Sequence, residues 1–360
     1  MKTRPRSSRA SIATSKAGPG GSALNRKKKR TISHSPSHLE THALSSFSEA
    51  RPVGRAQATD SSCLRKPAIG IVVPSNRSDC LEGFKRAWQP LFDKHEVSLI
   101  CVRDAKDPMI EASGVASPLS ECLPEFRAVL FRGTSAIRQA GFAFVAKHRP
   151  DIDVLVTLDD DVAPRGDPIT DHLAVLGQRE SISWFQLASE YTRGFPYEVR
   201  QEAVVTASHG VWTGIYDYDA PTQLVRGNPP IAFYKGPVPK GSLTPVCGMN
   251  FAFSRSLLPY VYFAPMLKER YGFDRFDDIW MGIRLKRHLD QHNQALYTGA
   301  SVVMHAKASN VFANLEKEAK GIRLNETYWK GDESDPYFAF YNEKYEQWKR
   351  LVLNCGSPPL

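Results

Sequence analysis

The stretch Val154–Pro164, VLVTLDDDVAP, constrains this chain more than any other. Val154 to Leu158 are all apolar or β-branched, the mark of a strand buried on both faces in a parallel sheet covered by helices. Three carboxylates follow without a break: Asp159, Asp160 and Asp161. Adjacent negative charges repel, so something positive has to stand at the end of this strand. Ala68–Val73 is a second apolar run, closed by Pro74 and Ser75, and EVSLICVRDAKDP is a third strand running into a loop at Asp104. Between the strands, EGFKRAWQPLF sets Phe84, Trp88, Leu91 and Phe92 at helical spacing. GTSAIRQAGFAFVAKH does the same with Ile137, Phe142 and Val145. Strands alternating with helices predict an α/β domain whose central, mostly parallel sheet is flanked by helices. Ligands of such sheets gather beyond the carboxyl ends of the strands, where Asp104 and the aspartate triplet both fall.

The second half is less regular. Strand-like pieces stand near Ala203–Ser208 and Ala252, and FDDIWMGIRLKRHL reads as a helix with Ile279, Ile283, Leu285 and Leu289 as its apolar members. FYNEKYEQWKRLVL predicts a helical extension over 331–360 that packs on the 67–330 body. Residues 1–66 are rich in Ser, Ala, Arg and Lys, and are expected to form a disordered basic tail. That tail holds fourteen Lys/Arg against three Asp/Glu, a balance of +11, which leaves −2 for the rest of a chain whose total is +9. The body therefore has no basic excess for nucleic acid, and RKKKR at 26–30 reads as a solvated charge run. No apolar run approaches the roughly 20 residues of a membrane span, so no integral membrane contact is expected. The six cysteines are scattered without paired spacing and read as free thiols.

Carboxylate oxygens after a buried strand suit Mg²⁺ or Mn²⁺, which in turn suits a diphosphate. Taken alone, the triplet is equally at home as a helix cap or a solvated turn. Asp159 and Asp161, on one face of an extended strand end, are the preferred metal ligands, with Asp160 toward the ligand. Further ligands are sought in Asp277 and Asp278 of FDDIW and in His305, which follows the strand-like ASVVM. Lys307, two residues on, could reach a phosphate. Pro74, Ser75, Arg77 and Asp104 line a nucleoside pocket by their strand-end positions, and Arg132 and Arg138 lie where they could touch diphosphate. Trp212 could lie against sugar or base, although core packing is the commoner use of such a ring. Cys247 has no base near it in sequence and is not favoured as a nucleophile.

The blocks LDDDV, YTRGFPYEVR, ASHGVW, YDYDAPTQLV, VPKGSLTPVCGMNFAFSR, DRFDDIWMG and HAKASNVFANLEKEAKGI, preceded by the weaker IVVPSNR, occur in order between about residues 68 and 323. Together they resemble the plant reversibly glycosylated polypeptides, also called UDP-arabinopyranose mutases. The resemblance implies a GT-A-like nucleotide-sugar fold that interconverts UDP-L-arabinopyranose and UDP-L-arabinofuranose with Mn²⁺ or Mg²⁺. It implies reversible glycosylation of an arginine, which falls on Arg193, with Arg200 as the second arginine of that motif. A guanidinium is a poor nucleophile, so a carboxylate such as Asp277 or Asp278 would have to take its proton. Read without the resemblance, Arg193 and Arg200 are a phosphate clamp. It also implies association with itself or with family members, and residence in the cytosol at the Golgi face. Two alternatives share these residues: a self-glycosylating transferase, and a non-catalytic subunit that scaffolds an active mutase. The segment FRGTSAIRQAGF departs from the family, with Arg132 in place of the usual Lys and Gly133 in place of an acidic residue.

Overall fold

The computed structural model describes residues 65–183, 193–306 and 310–356. The basic tail up to residue 64, Lys307, and the termini of several quoted blocks lie outside the described residues.

The described chain opens with β1 (Ile69–Ser75), α1 (Ser78–His95) and β2 (Ser98–Arg103), in which the helix connects a parallel pair of strands. Helix α1 buries Leu81, Phe84, Trp88 and Phe92 on one stripe and stops at Glu96, held at φ 53. Next, β3 (Met109–Ala112) and β4 (Val115–Pro118) form a hairpin on the outer edge of β2. Its two-residue turn, Ser113 and Gly114, has positive φ at both positions, as the twist of a tight hairpin requires. The short α2 (Leu119–Cys122) and α3 (Gln139–His148) lead to β5 (Val154–Leu158), which pairs parallel with β1. β6 (Val162–Pro164), α4 (Pro168–Val175) and β7 (Arg179–Ser181) follow.

The long strand β8 (Glu202–Gly214) precedes α5 (Ala220–Arg226), β9 (Gly236–Pro237) and β10 (Asn250–Ser254). The chain then runs through α6 (Lys268–Tyr271), α7 (Asp277–Gln291), β11 (Gln294–His305), α8 (Val311–Trp329) and α9 (Pro336–Asn354).

Among the described residues one sheet carries the strand order β4-β3-β2-β1-β5-β10-β8-β11-β6, with β7 beside β8 and β9 beside β11. Five of the six central strands, β2, β1, β5, β8 and β11, run the same way, and β10 alone is reversed between β5 and β8. The mostly parallel sheet expected from sequence is thus present, with antiparallel strands added at its margins. β1 sends Ile71 and Val73 to one core, with Trp88 and Phe92, and Val72 to the other, with Phe142 and Phe253. Burial on both faces is what its unbroken apolar run predicted. The second core is capped by α9, whose Trp348 donates from Nε1 to Leu258 O at 3.1 Å and stacks on Tyr262.

Because five strands share a direction, their carboxyl ends form one edge. Ser75, Arg103, Leu158, Gly214 and His305 close those strands, and the reversed β10 presents its amino end, Asn250, to the same edge.

Candidate functional site

The triplet at the end of β5 is held apart by two arginines. Arg138, 2% exposed, donates from Nη2 to Asp159 Oδ1 at 2.6 Å. Its Nη1 donates to Thr157 Oγ1 at 2.7 Å and to Gly248 O at 2.6 Å. Arg77 pairs with Asp160 and donates to Asp161 Oδ2 at 3.0 Å. Asp160 is buried and also accepts Ser75 Oγ at 2.5 Å. The positive charge that the three carboxylates demand is therefore supplied in large part by the chain itself. Arg77 and Arg138 were expected to face the ligand. Arg138 is instead fully enclosed and organises the triplet, since a guanidinium this close to buried carboxylates gains more by pairing with them than by pointing to water. Asp160 is likewise an internal anchor, which leaves Asp159 and Asp161 as the partly accessible members.

His305, at the end of β11, sits across from Asp161, with Nε2 3.9 Å from Oδ1. Its Nδ1 donates to Ile215 O at 2.9 Å, because a carbonyl can only accept. The neutral ring then keeps its lone pair on Nε2, the tautomer a metal ligand needs. Among the described residues no group of three or more His, Cys, Asp or Glu side chains forms a ready cation cage. Asp161 and His305 offer an oxygen and a nitrogen donor of the kinds a divalent ion accepts.

Helix α7 brings two more carboxylates to this edge in its first turn. Asp277 is buried and accepts the Ser135 hydroxyl. Asp278 Oδ2 accepts the Gly248 N–H at 2.9 Å. Burial, and then the charge of Asp277, push the Asp278 carboxyl up to about 8, and burial raises Asp277 as well. Gly248 is required where it stands: a Cβ there would lie 2.9 Å from both Arg138 Nη1 and the Phe263 ring.

A further carboxylate joins them. Asp217, in the loop after β8, keeps solvent access while protein crowds its carboxyl, and burial raises its pKa. The Cys247 thiol lies 3.8 Å from Asp217 Oδ2 and is pushed well above its usual range by burial, which leaves it inert as a nucleophile. Asp217 was not among the expected site residues. The signal was available, since the loop after β8 obeys the same strand-end rule that picked out the triplet.

Other expected residues are placed less directly. Asp104 accepts Gly133 N at 2.8 Å, with Arg132 Nε 3.7 Å away, so it ties two loops together beside β2. Pro74 is half-buried in β1, paired with Val102. Trp212 is buried against Phe233, its Nε1 without a partner among the described residues, and has no open face for a sugar. Arg193 is exposed, while Arg200 lies over the Tyr197 ring at 3.8 Å and donates to Phe195 O at 3.0 Å. Both precede the amino end of β8. Leu158, Asn250 and Gly210 stand level in the sheet, and Glu202 is roughly 25 Å back along β8 from that level. Arg200, two residues before β8, therefore stands toward the end of that strand opposite the shared edge.

A family model described as reversibly glycosylated polypeptide matches residues 64–331. UDP-arabinopyranose mutase 3 of Arabidopsis thaliana is 32% identical, over 76% of this chain and 78% of that protein. UDP-arabinopyranose mutase 1 of Oryza sativa subsp. japonica is 31% identical, over 75% of this chain and 77% of that one. Among solved structures, glucosyl-3-phosphoglycerate synthase from Mycobacterium tuberculosis, with Mn²⁺, UDP-glucose and phosphoglyceric acid, is 15% identical with a TM-score of 0.42, covering 75% of this chain and 82% of that one. That likeness is too distant to argue from.

Proposed function

The chain belongs to the reversibly glycosylated polypeptide family, and from that premise we propose that it is a UDP-arabinopyranose mutase, interconverting UDP-L-arabinopyranose and UDP-L-arabinofuranose. The observation that carries the reading is one strand-end edge that joins two partly accessible carboxylates and His305 to the carboxyl pair Asp277 and Asp278, where burial raises Asp278. Asp159, Asp161 and His305 would hold a divalent ion at this edge. When bound, Mn²⁺ or Mg²⁺ neutralises the diphosphate and favours its departure from C1.

The ring change then needs proton bookkeeping that this chain can perform. With UDP departed, O4 loses a proton and closes on C1; the C1–O5 bond then breaks as O5 gains a proton; UDP returns to the same carbon. Asp278, protonated at neutral pH, is the donor to O5, and the Asp277–Asp278 pair receives the proton from O4. Asp217 faces the same space and is placed to hold a sugar hydroxyl.

Glycosylation of Arg193 is a separate outcome in this reading. Its exposed side chain makes it an acceptor open to the active edge of a second copy. A self-glycosylating transferase is the second reading, favoured by that exposure. Residence in the cytosol at the Golgi face comes with the family reading; among the described residues no helix is long and apolar enough to cross a membrane.

Incubating the purified protein with UDP-arabinopyranose and Mn²⁺, then separating the nucleotide sugars, tests the proposal. Furanose product is expected, abolished by EDTA, with Asp161→Asn and His305→Gln each weakening Mn²⁺-dependent UDP binding by about tenfold or more. Normal UDP binding without any furanose product sinks the mutase reading. Arg193→Ala should keep turnover within a few-fold; loss of turnover would return Arg193 to the reaction path.

A further inference from the structure

His209, in β8, is buried and faces no part of the carboxylate cluster directly. Its Nε2 accepts the backbone N–H of Cys247 at 3.1 Å. An accepting Nε2 carries no proton, so Nδ1 carries it and donates to Thr298 Oγ1 of β11 at 3.1 Å. The residue after Cys247 is Gly248, whose N–H meets Asp278 and whose C=O meets Arg138. Gly248 has no side chain to orient its own peptide, and the room around it forbids one. The orientation of that peptide has to be set from the residue behind it.

We propose that His209 is a positioning residue for the reaction: it holds the Cys247–Gly248 turn so that Gly248 presents its N–H to Asp278 and its C=O to Arg138. The proposal rests on the reading of Asp278 as the proton donor. It adds a mechanism by which a ring outside the cleft sets the protonation of a carboxyl inside it. Asp278 is also faced by Asp277 on its own helix, by Asp217 from the loop after β8, by Arg138 from the 3-10 turn before α3, and by Cys247. A hydrogen bond to the carboxylate favours its charged form, so loosening the turn raises the pH at which Asp278 titrates.

The test is an infrared titration of the full chain, in which the Asp278 carboxyl is the band lost in Asp278→Asn. His209→Phe keeps the bulk of the ring and removes the acceptor; His209→Gln keeps an acceptor. The midpoint should rise by about one pH unit in His209→Phe and return close to the unaltered value in His209→Gln. Turnover should fall by about tenfold or more in His209→Phe with KM little changed. An unmoved midpoint in folded His209→Phe overturns the proposal. If that variant does not fold, Thr298→Val, which frees the ring from its second partner, should shift the midpoint the same way, and no shift there is equally decisive. Failure of the mutase reading shows itself differently, as absent turnover in the unaltered protein with the titration intact.

Discussion

At the scale of single residues, the site works by setting carboxyls against one another. Asp159, Asp160 and Asp161 stand within hydrogen-bonding reach of Arg138 and Arg77. Asp278 has the opposite setting, with burial and Asp277 raising it to about 8. The sign follows directly. A raised carboxyl is a proton donor on the acid side of its pKa, so turnover should fall as pH rises through about 8. Burial favours the neutral form, so this residue costs the fold stability as pH climbs from the ordinary aspartate range, about 4, toward 8. Asp278→Asn should lower kcat by about 10²- to 10⁴-fold, remove the alkaline fall in the rate–pH profile, and lose the matching fall in melting temperature. The triplet was legible in sequence because three adjacent charges after an apolar strand have few uses. The commitments of Arg77 and Arg138 were not, because a sequence shows that an arginine is near a strand end and not which way it turns.

At the scale of elements, β8 and β10 explain why the motif glycines and histidines are where they are. The strand reading of Ala203–Ser208 caught only the first half of β8, which continues to Gly214. A Cβ on Gly210 would fall 2.0 Å from Asn250 Nδ2, so β8 and β10 pack closer here than any side chain allows. Gly210→Ala should destabilise the fold by about 1–3 kcal/mol, read as a drop in denaturant midpoint. Behind that contact, His172 of α4 donates from Nε2 to Asn250 Oδ1 at 2.8 Å and receives Ser208 Oγ at Nδ1, also at 2.8 Å. Burial lowers His172 and His209 to about 4. Their neutral forms support the fold fully above about pH 6.5, and that support is lost as pH falls from there through 4. Melting temperature should decline over this window, and less steeply in His172→Gln. SHGVW and CGMN belong to the blocks that carry the family resemblance. In the structure Gly210, His209 and Asn250 serve the joint between strands, and Cys247 and Gly248 reach the cluster.

At the scale of the whole molecule, the C-terminal helix is part of the body's core. Tyr337, Tyr341 and Trp348 of α9 are fully buried, and Tyr341 Oη donates to Tyr262 O at 3.1 Å. Trp348→Ala should cost about 3–5 kcal/mol, measured by denaturant unfolding, with no direct effect on UDP binding. The sequence alone determined the class of fold, since apolar runs of strand length alternating with helical stripes leave few layouts other than a covered parallel sheet. It also determined that carboxylates would gather at the strand ends, because that follows from strand direction and from charge that cannot be buried unpaired. Tertiary structure alone decided which of those charges meet. Arg138 finds Gly248 across 110 positions, and Asp278 finds the same glycine from a different helix. Periodicity is a local property that every strand and helix writes into its own residues. Pairings between distant loops depend on the order of strands in the sheet, which no short stretch of this chain contains.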